Sequence, residues 1–215
     1  MNRLLPLYLP IKENCSFYLV SLADIQQKEV QEAESYVDEV SLERASRYAF
    51  EKDRNKLIIV QATLRFLLGK FLGKTPMEMI ILRDDFGKPF IKDNLVHFSL
   101  AYSDTYAFMG FSPVNSIGVD IEAINKERVV IDSPVLHDSE KEVIRGAKDT
   151  IDAFYEYWCA KEALLKALGT GFTEEKPPLL EQVSNGVFQS EDPSYIIYTH
   201  STHDHKVGVC LLHSE

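Results

Sequence analysis

Two carboxylates, Asp120 and Glu122, stand two positions apart in the segment 118–122. Side chains alternate between the two faces of a strand, so both acids point the same way while Val119 and Ile121 point into the opposite layer. Two carboxylates side by side repel each other and raise each other's pKa unless a cation lies between them. They therefore form an oxygen site suited to Mg²⁺, which binds few protein carboxylates and completes its shell with water and phosphate oxygens. Taken alone, the pair is more simply explained as two solvated acids at a strand end.

A second group of reactive side chains lies on an amphipathic segment from Phe154 to Leu168. Its apolar residues recur at helical spacing, and Lys161 falls on their stripe, where a lysine is unusual unless it is paired. We expect Lys161 to reach a phosphate at the edge of the core. Trp158, Glu162 and Lys166 are spaced by four, so they share a second helix face. For the helix alone, an ordinary ion pair between Glu162 and Lys166 is the simpler explanation.

The rest of the pattern predicts an α+β protein in which strands and helices position these side chains. Helical patterns cover 25–40, 53–72, 139–147 and 153–168. A further helix is predicted to start at Ser41, with this serine as its N-cap. Strand patterns cover 17–22, 80–83, 97–100, 106–111, 117–121 and a closing hairpin at 194–199 and 206–212. Pro113 would disrupt a central strand, so the turn 112–116 is the expected boundary between an N-terminal part, 1–112, and a C-terminal part, 113–215.

Composition excludes several classes of function. The formal net charge of −10 over 215 residues argues against a nucleic-acid-binding surface. No apolar stretch is long enough to span a membrane, and the N-terminus lacks the features of a signal peptide, so we expect a cytoplasmic protein. Three widely spaced cysteines argue against disulfides and a cysteine zinc site, and Cys159 is expected to be a buried thiol. The histidines between 200 and 205 fit a polar hairpin turn better than a metal cluster.

Together, the Asp-x-Glu strand, the W-x-x-K-E-A helix beginning at Trp158 and the Gly-x-Gly stop at 169–171 resemble the 4′-phosphopantetheinyl transferase superfamily. Phe86-Gly87-Lys88-Pro89 is similar to the G-K-P segment of its larger, Sfp-type branch. The segment 97–100 is similar to the branch's H-F-N-x-S-H-S strand, and a basic region at 44–54 resembles the one upstream. The resemblance runs from about Ser41 to Leu212. It implies two similar α+β subdomains related by a pseudo-twofold axis in a single chain, and hence a monomer.

The resemblance also implies the activity and the ligands of the metal. The family transfers the 4′-phosphopantetheine arm of coenzyme A to a serine of an apo acyl or peptidyl carrier protein, and 3′,5′-ADP leaves. Mg²⁺ on the coenzyme A pyrophosphate would be held by Asp120, Glu122 and Glu162. Glu162, directly or through a water, would accept the serine proton. Asp120 and Lys166 complete the expected catalytic set.

For coenzyme A itself, the resemblance implies contacts from both halves of the chain. Lys161 and Lys166 would contact phosphate or the leaving oxygen, and Lys88 would hold the coenzyme near its nucleotide. Basic residues of the first half bind the 3′-phosphate in this family, which implies Arg47 first, followed by Arg44, Arg54 and Lys56. The ligand is expected in the cleft between the halves.

One position departs from the family pattern. Where the family has N-x-S-H-S, this chain has Ser99-Leu100-Ala101-Tyr102-Ser103, so Tyr102 replaces a histidine that contacts the coenzyme A phosphate. A neutral phenol donates a hydrogen bond but does not become a cation near neutral pH. Ser103 still matches. The departure leaves open a binding module for coenzyme A or a carrier protein with weak catalysis. The carboxylates alone also leave open a Mg²⁺-dependent phosphoesterase.

Overall fold

A computed structural model describes residues 3–11, 14–92, 96–171, 177–202 and 204–213. The N-terminal part forms a four-stranded antiparallel sheet in the order β1-β2-β6-β5. Its strands are β1 (Leu4–Leu7), β2 (Ser16–Ser21), β5 (His97–Tyr102) and β6 (Tyr106–Ser112). Helices α1 (Gln27–Glu34), α2 (Glu39–Ser46) and the long α3 (Glu51–Leu72) connect β2 to a small sheet made of β3 (Ile81–Arg83) and β4 (Pro89–Ile91).

The C-terminal part forms a five-stranded antiparallel sheet in the order β7-β11-β10-β9-β8. Its strands are β7 (Ile117–Ala123), β8 (Leu180–Ser184), β9 (Val187–Ser190), β10 (Tyr195–Thr202) and β11 (His205–Leu212). Helices α4 (Asp138–Gly146) and α5 (Thr150–Leu168) lie between β7 and β8 in the chain. Among the described helices, none has the length and apolar character to cross a membrane.

The two parts pack as four layers, because each sheet has one face on helices and one face on the other sheet. Leu64 and Leu68 of α3 share a core with Val20 and Met109 of the first sheet. Helix α5 packs in the same way on the second sheet. Between the sheets, a third core joins Phe17, Leu19 and Phe108 to Ile117, Val119, Ile121, Val207, Val209 and Leu211. The fold is therefore α+β with two similar halves, each a long helix on an antiparallel sheet.

Most predicted elements are confirmed, but the helix predicted over 25–40 is divided: α1 ends at Glu34, and Glu39 and Val40 already belong to α2. The prediction of Ser41 as N-cap is wrong: α2 begins at Glu39, and its N-cap is Asp38, whose carboxylate accepts the Ser41 backbone N–H at 2.7 Å. Asp149 caps α5, and Gly169 ends it in the left-handed conformation with φ of 76°. Every strand of the first sheet precedes residue 113 and every strand of the second follows it. The division at 112/113 into two units stays a prediction.

Candidate functional site

The centre of the site is a charged network between β7 and α5. Asp120 is buried on β7, and its Oδ1 accepts a hydrogen bond from the Lys166 ammonium at 2.6 Å. The same ammonium lies 3.8 Å from Glu162, one turn earlier on α5. Strand alternation turns Asp120 and Glu122 toward α5, and the Glu122 carboxylate accepts a hydrogen bond from the Trp158 side chain. The structure thus brings together the four side chains that the sequence groups on one strand face and one helix face.

The electrostatics of this network show more negative charge than one lysine neutralises. Burial, reinforced by the neighbouring Asp120, raises the pKa of Glu162 to about 7, against the opposing effect of Lys166. Burial and Asp120 also raise the pKa of Glu122. Burial alone would lower the pKa of Lys166, but Asp120 and Glu162 outweigh it and raise the pKa. The site therefore holds three crowded acids that a further cation would stabilise.

Two glycines let α5 lie close enough to the sheet to form the network. A Cβ at Gly118 would come within 1.9 Å of the Ala163 carbonyl oxygen, and a Cβ at Gly208 within 2.2 Å of the Cys159 carbonyl oxygen. Gly208 pairs with Asp120 across β7 and β11. Because Cys159 and Ala163 are one helical turn apart, the two glycines form a groove for one face of α5. This contact sets the distance between Asp120 and the side chains of α5.

The side chains present suit a hard divalent cation in their chemistry. Asp120 Oδ2 is buried and, within the described residues, has no hydrogen-bond partner. Glu122 and Glu162 supply further carboxylate oxygens of the kind that Mg²⁺ prefers. Across the described parts of the chain, however, no group of three or more His, Cys, Asp or Glu residues is arranged to hold a metal ion. In this structure the Lys166 ammonium supplies the positive charge beside Asp120.

A pocket of about 380 Å³ opens where the two halves meet, next to this network. Its walls come from α2, α3 and the β5–β6 turn on one side and from the end of β7 on the other. Its charged and polar lining includes Arg44, Tyr48, Lys56, Tyr102, Ser103, Glu122 and Arg128. Glu122 thus belongs both to the carboxylate group and to the pocket wall. A ligand in this pocket would contact both halves of the protein.

Tyr102 and Ser103 both line this pocket. Tyr102 is 44% exposed, but partial burial of its phenol raises the pKa to about 12, although the charges of Arg44 and Arg83 act in the opposite direction. Tyr102 is therefore neutral at physiological pH. Sequence reasoning misses Arg83 and Arg128. Arg83 is brought to the Tyr102 phenol by the small β3–β4 sheet, and its place in the chain gives no signal of this.

Several predicted ligand contacts lie elsewhere in the structure. Arg47 is exposed and pairs with Glu43 at 2.6 Å, and neither Arg47 nor Arg54 lines the pocket. The less favoured Arg44 and Lys56 do line it. Lys88 donates from its ammonium to the Ala167 carbonyl at 2.9 Å, which ties the β3–β4 turn to the C-terminal end of α5. Chain position alone does not show which of several neighbouring basic residues faces the cleft.

Lys161 does not occupy the predicted position at a phosphate. Its side chain is fully buried, pairs with Glu140 of α4 at 3.0 Å and donates to the Pro178 carbonyl at 2.8 Å. The expectation that a lysine on an apolar stripe needs a partner is met by a carboxylate from another helix. The prediction that Lys161 contacts phosphate therefore disagrees with this structure, in which Lys161 joins α5 to α4.

Part of the chain matches a known protein family, and longer stretches are similar to characterised transferases. Residues 116–210 match the family model described as the 4′-phosphopantetheinyl transferase superfamily. The 4′-phosphopantetheinyl transferase gsp of Aneurinibacillus migulanus is 27% identical over 58% of this chain and 53% of its own length. The 4′-phosphopantetheinyl transferase HetI of Nostoc is 26% identical over 70% of this chain and 67% of its own length.

A third relative aligns with most of the chain. The 4′-phosphopantetheinyl transferase Sfp of Bacillus subtilis is 22% identical over 89% of both proteins. For gsp, by contrast, the matched part is about half of that relative. The family match contains Asp120, Glu122, Glu162 and Lys166. Residues 116–210 thus match the 4′-phosphopantetheinyl transferase superfamily, and the chain is similar to these three transferases over 58% to 89% of its length.

Proposed function

We propose that this protein transfers the 4′-phosphopantetheine moiety of coenzyme A to a serine of an apo acyl or peptidyl carrier protein, with Mg²⁺ as cofactor and release of 3′,5′-ADP. We assign it to the larger, Sfp-type branch, acting as a cytoplasmic monomer. The observation that carries the proposal is the Asp120–Lys166–Glu162 network beside a pocket shared by both halves. Such a pocket suits an elongated, multiply charged ligand whose nucleotide and pyrophosphate need different surroundings.

In this proposal, coenzyme A lies across the cleft. The first half contacts the nucleotide through Arg44 and Lys56, Tyr102 donates a hydrogen bond, and Ser103 forms part of the wall. The pyrophosphate lies toward Glu122, and Asp120, Glu122 and Glu162 would hold the metal. Bound Mg²⁺ would neutralise negative charge that develops on the pyrophosphate and on the leaving group. Arg47, Arg54 and Lys88 have no direct part in this arrangement.

The proposed reaction is an attack of the carrier serine hydroxyl on the β-phosphorus of coenzyme A. The new bond joins the serine oxygen to that phosphorus, and the bond from phosphorus to the oxygen that bridges the two phosphates breaks. 3′,5′-ADP leaves with the electron pair. Glu162, directly or through a water, accepts the serine proton. Lys166, oriented by Asp120, donates to a phosphate oxygen as charge accumulates there.

One observation favours a second function, a module that binds coenzyme A or a carrier protein with weak catalysis. Tyr102 stays neutral where the family pattern has a histidine, so the pocket lacks one ionisable contact. Arg44 lines the same pocket, however, and supplies a permanent positive charge there. The transferase therefore remains the proposal that the geometry supports best.

The direct test is the intact mass of an apo carrier protein after incubation with this protein, coenzyme A and Mg²⁺. A gain of one phosphopantetheine arm that EDTA prevents is the expected result. Fatty acid, polyketide, nonribosomal peptide and lysine-pathway carriers should be assayed in parallel. No gain with any carrier, with coenzyme A still bound in calorimetry, would favour the binding module. Phosphate release from coenzyme A without a carrier would instead indicate a phosphoesterase.

A further inference from the structure

A buried histidine, His205, lies beneath the pocket and contacts both halves of the protein. It begins β11, pairs with Ala123 at the end of β7 and is 1% exposed. Its Nδ1 lies 2.7 Å from the Asp204 carboxylate. Its Nε2 lies 3.0 Å from Ser103 Oγ and 3.1 Å from Thr105 Oγ1, both in the β5–β6 turn of the other half. The imidazole therefore connects the C-terminal sheet to a turn of the N-terminal sheet.

The hydrogen bonds around Ser103 define the direction of this link. Ser103 Oγ accepts the backbone N–H groups of Tyr106 at 3.0 Å and Thr105 at 3.3 Å. The hydroxyl hydrogen is then directed toward His205, or toward the Tyr106 carbonyl at 3.3 Å. In the tautomer whose Nδ1–H is donated to the Asp204 carboxylate, Nε2 is an acceptor for the hydroxyls. A continuous series of hydrogen bonds therefore runs from Asp204 through the imidazole to the backbone of the turn.

This turn is a wall of the pocket. Tyr102, Ser103 and Asp104 line the pocket on one side, and Glu122 and Ala123, the strand partner of His205, line it on the other. The imidazole contacts the turn through hydrogen bonds and packs edge-on against Tyr106, with 5.2 Å between ring centroids. Through these contacts His205 fixes the position of the first half's wall relative to the strand that carries Glu122.

We propose that His205 is a positioning residue for coenzyme A: it sets the spacing between the two walls of the cleft without touching the ligand. This inference rests on the proposed function, since it names how that pocket is shaped. His205 lies on β11 away from Glu162 and Lys166, so its loss should weaken binding of the coenzyme more than it slows the chemical step. A substrate that contacts both halves depends on their spacing, because a small displacement of one half removes contacts with the ligand.

The test uses substitutions of His205 that preserve the position of one ring nitrogen, of the other, or of neither. In His205→Gln the side-chain amide reaches the position of Nε2 and keeps the contact to the turn. In His205→Asn the amide reaches only the position of Nδ1. His205→Phe fills the volume and keeps neither contact. His200→Phe makes the same change at an exposed position of β10 and is the matched control. For each variant we would measure KM and kcat for coenzyme A, the coenzyme Kd by calorimetry, and Tm.

We expect His205→Phe and His205→Asn to raise KM and Kd for coenzyme A about tenfold, the factor that corresponds to the loss of roughly one buried hydrogen bond. The change in kcat should stay below about twofold, and His205→Gln should stay near the wild type. Ser103→Ala combined with His205→Phe should add little to either change alone, because both break one link.

An unchanged KM in folded His205→Phe, with only Tm lowered, would overturn the positioning role and leave the transferase proposal intact. Equal losses in the Gln and Asn variants would also overturn it, since the contact to the turn would then be irrelevant. A wild-type protein that neither binds coenzyme A nor modifies any carrier would overturn the proposed function itself, and the role of His205 in it.

Discussion

Gly208→Ala tests whether the contact between α5 and the sheet controls both stability and activity. The added Cβ would stand 2.2 Å from the Cys159 carbonyl oxygen, which is 1.2 Å short of ordinary van der Waals contact at 3.4 Å. A backbone carbonyl does not rotate away as a side-chain end does, so α5 must move outward by roughly 1 Å. Overpacking of this kind costs about 1–3 kcal/mol, partly offset by the lower entropy of alanine in the unfolded chain.

The same displacement moves Glu162 and Lys166 away from Asp120. A shift of about 1 Å in a catalytic group lowers a rate by as much as ~100-fold, so we expect a loss of transfer beyond the loss of folded protein. Urea denaturation gives the free energy of unfolding, and the carrier mass assay gives the rate per folded molecule.

Gly146→Ala is the matched control, because a Cβ there meets nothing within 4 Å. It should be neutral or slightly stabilising in denaturation and unchanged in transfer. A Gly208→Ala protein within about 0.5 kcal/mol of the wild type, with normal transfer, would refute the reasoning.

Three further predictions address individual side chains. Lys161→Met should lower the free energy of unfolding by about 3–5 kcal/mol in urea denaturation, because it leaves the Glu140 carboxylate buried without its lysine. A weaker affinity for coenzyme A with unchanged stability would instead support the predicted contact between Lys161 and a phosphate. Tyr102→His should tighten coenzyme A binding in calorimetry, and a weaker affinity would show that tyrosine is adapted to this pocket. Asp120→Ala and Glu162→Ala should each abolish transfer while circular dichroism stays unchanged, and EDTA should do the same to the wild type until Mg²⁺ is added back; near-normal activity in either variant would contradict the metal assignment.

The parts of the site that follow from local periodicity can be read from the sequence. Alternation along a strand places Asp120 and Glu122 on one face, and the helical repeat places Glu162 and Lys166 on another. Both rules depend only on neighbours in the chain. The ends of α3 and α5 are equally local, because Gly73 and Gly169 adopt the left-handed conformation that ends a helix.

The parts that depend on tertiary packing cannot be read in this way. The spacing that marks Lys161 as unusual does not reveal that Glu140, on a separate helix, is its partner. In the basic region the sequence favours Arg47, whereas the orientation of α2 turns Arg44 into the pocket. His205 is predicted only as part of a polar turn, since its hydroxyl partners are about a hundred residues earlier in the chain. His203 lies outside the described residues.

The apolar layer between the two sheets has a consequence for a chain that is cut. The turn that joins the halves is exposed at Val114, whereas Phe108, Val119 and Val209 are buried in the shared core. Proteolysis at that turn would therefore leave two fragments that hold each other by this face, much as the subunits of a dimer do. Neither fragment alone would contain a cleft, because Tyr102 would belong to one and Glu122 to the other. The protein is in this sense suited to fragment complementation, with reassembly of the pocket as the signal.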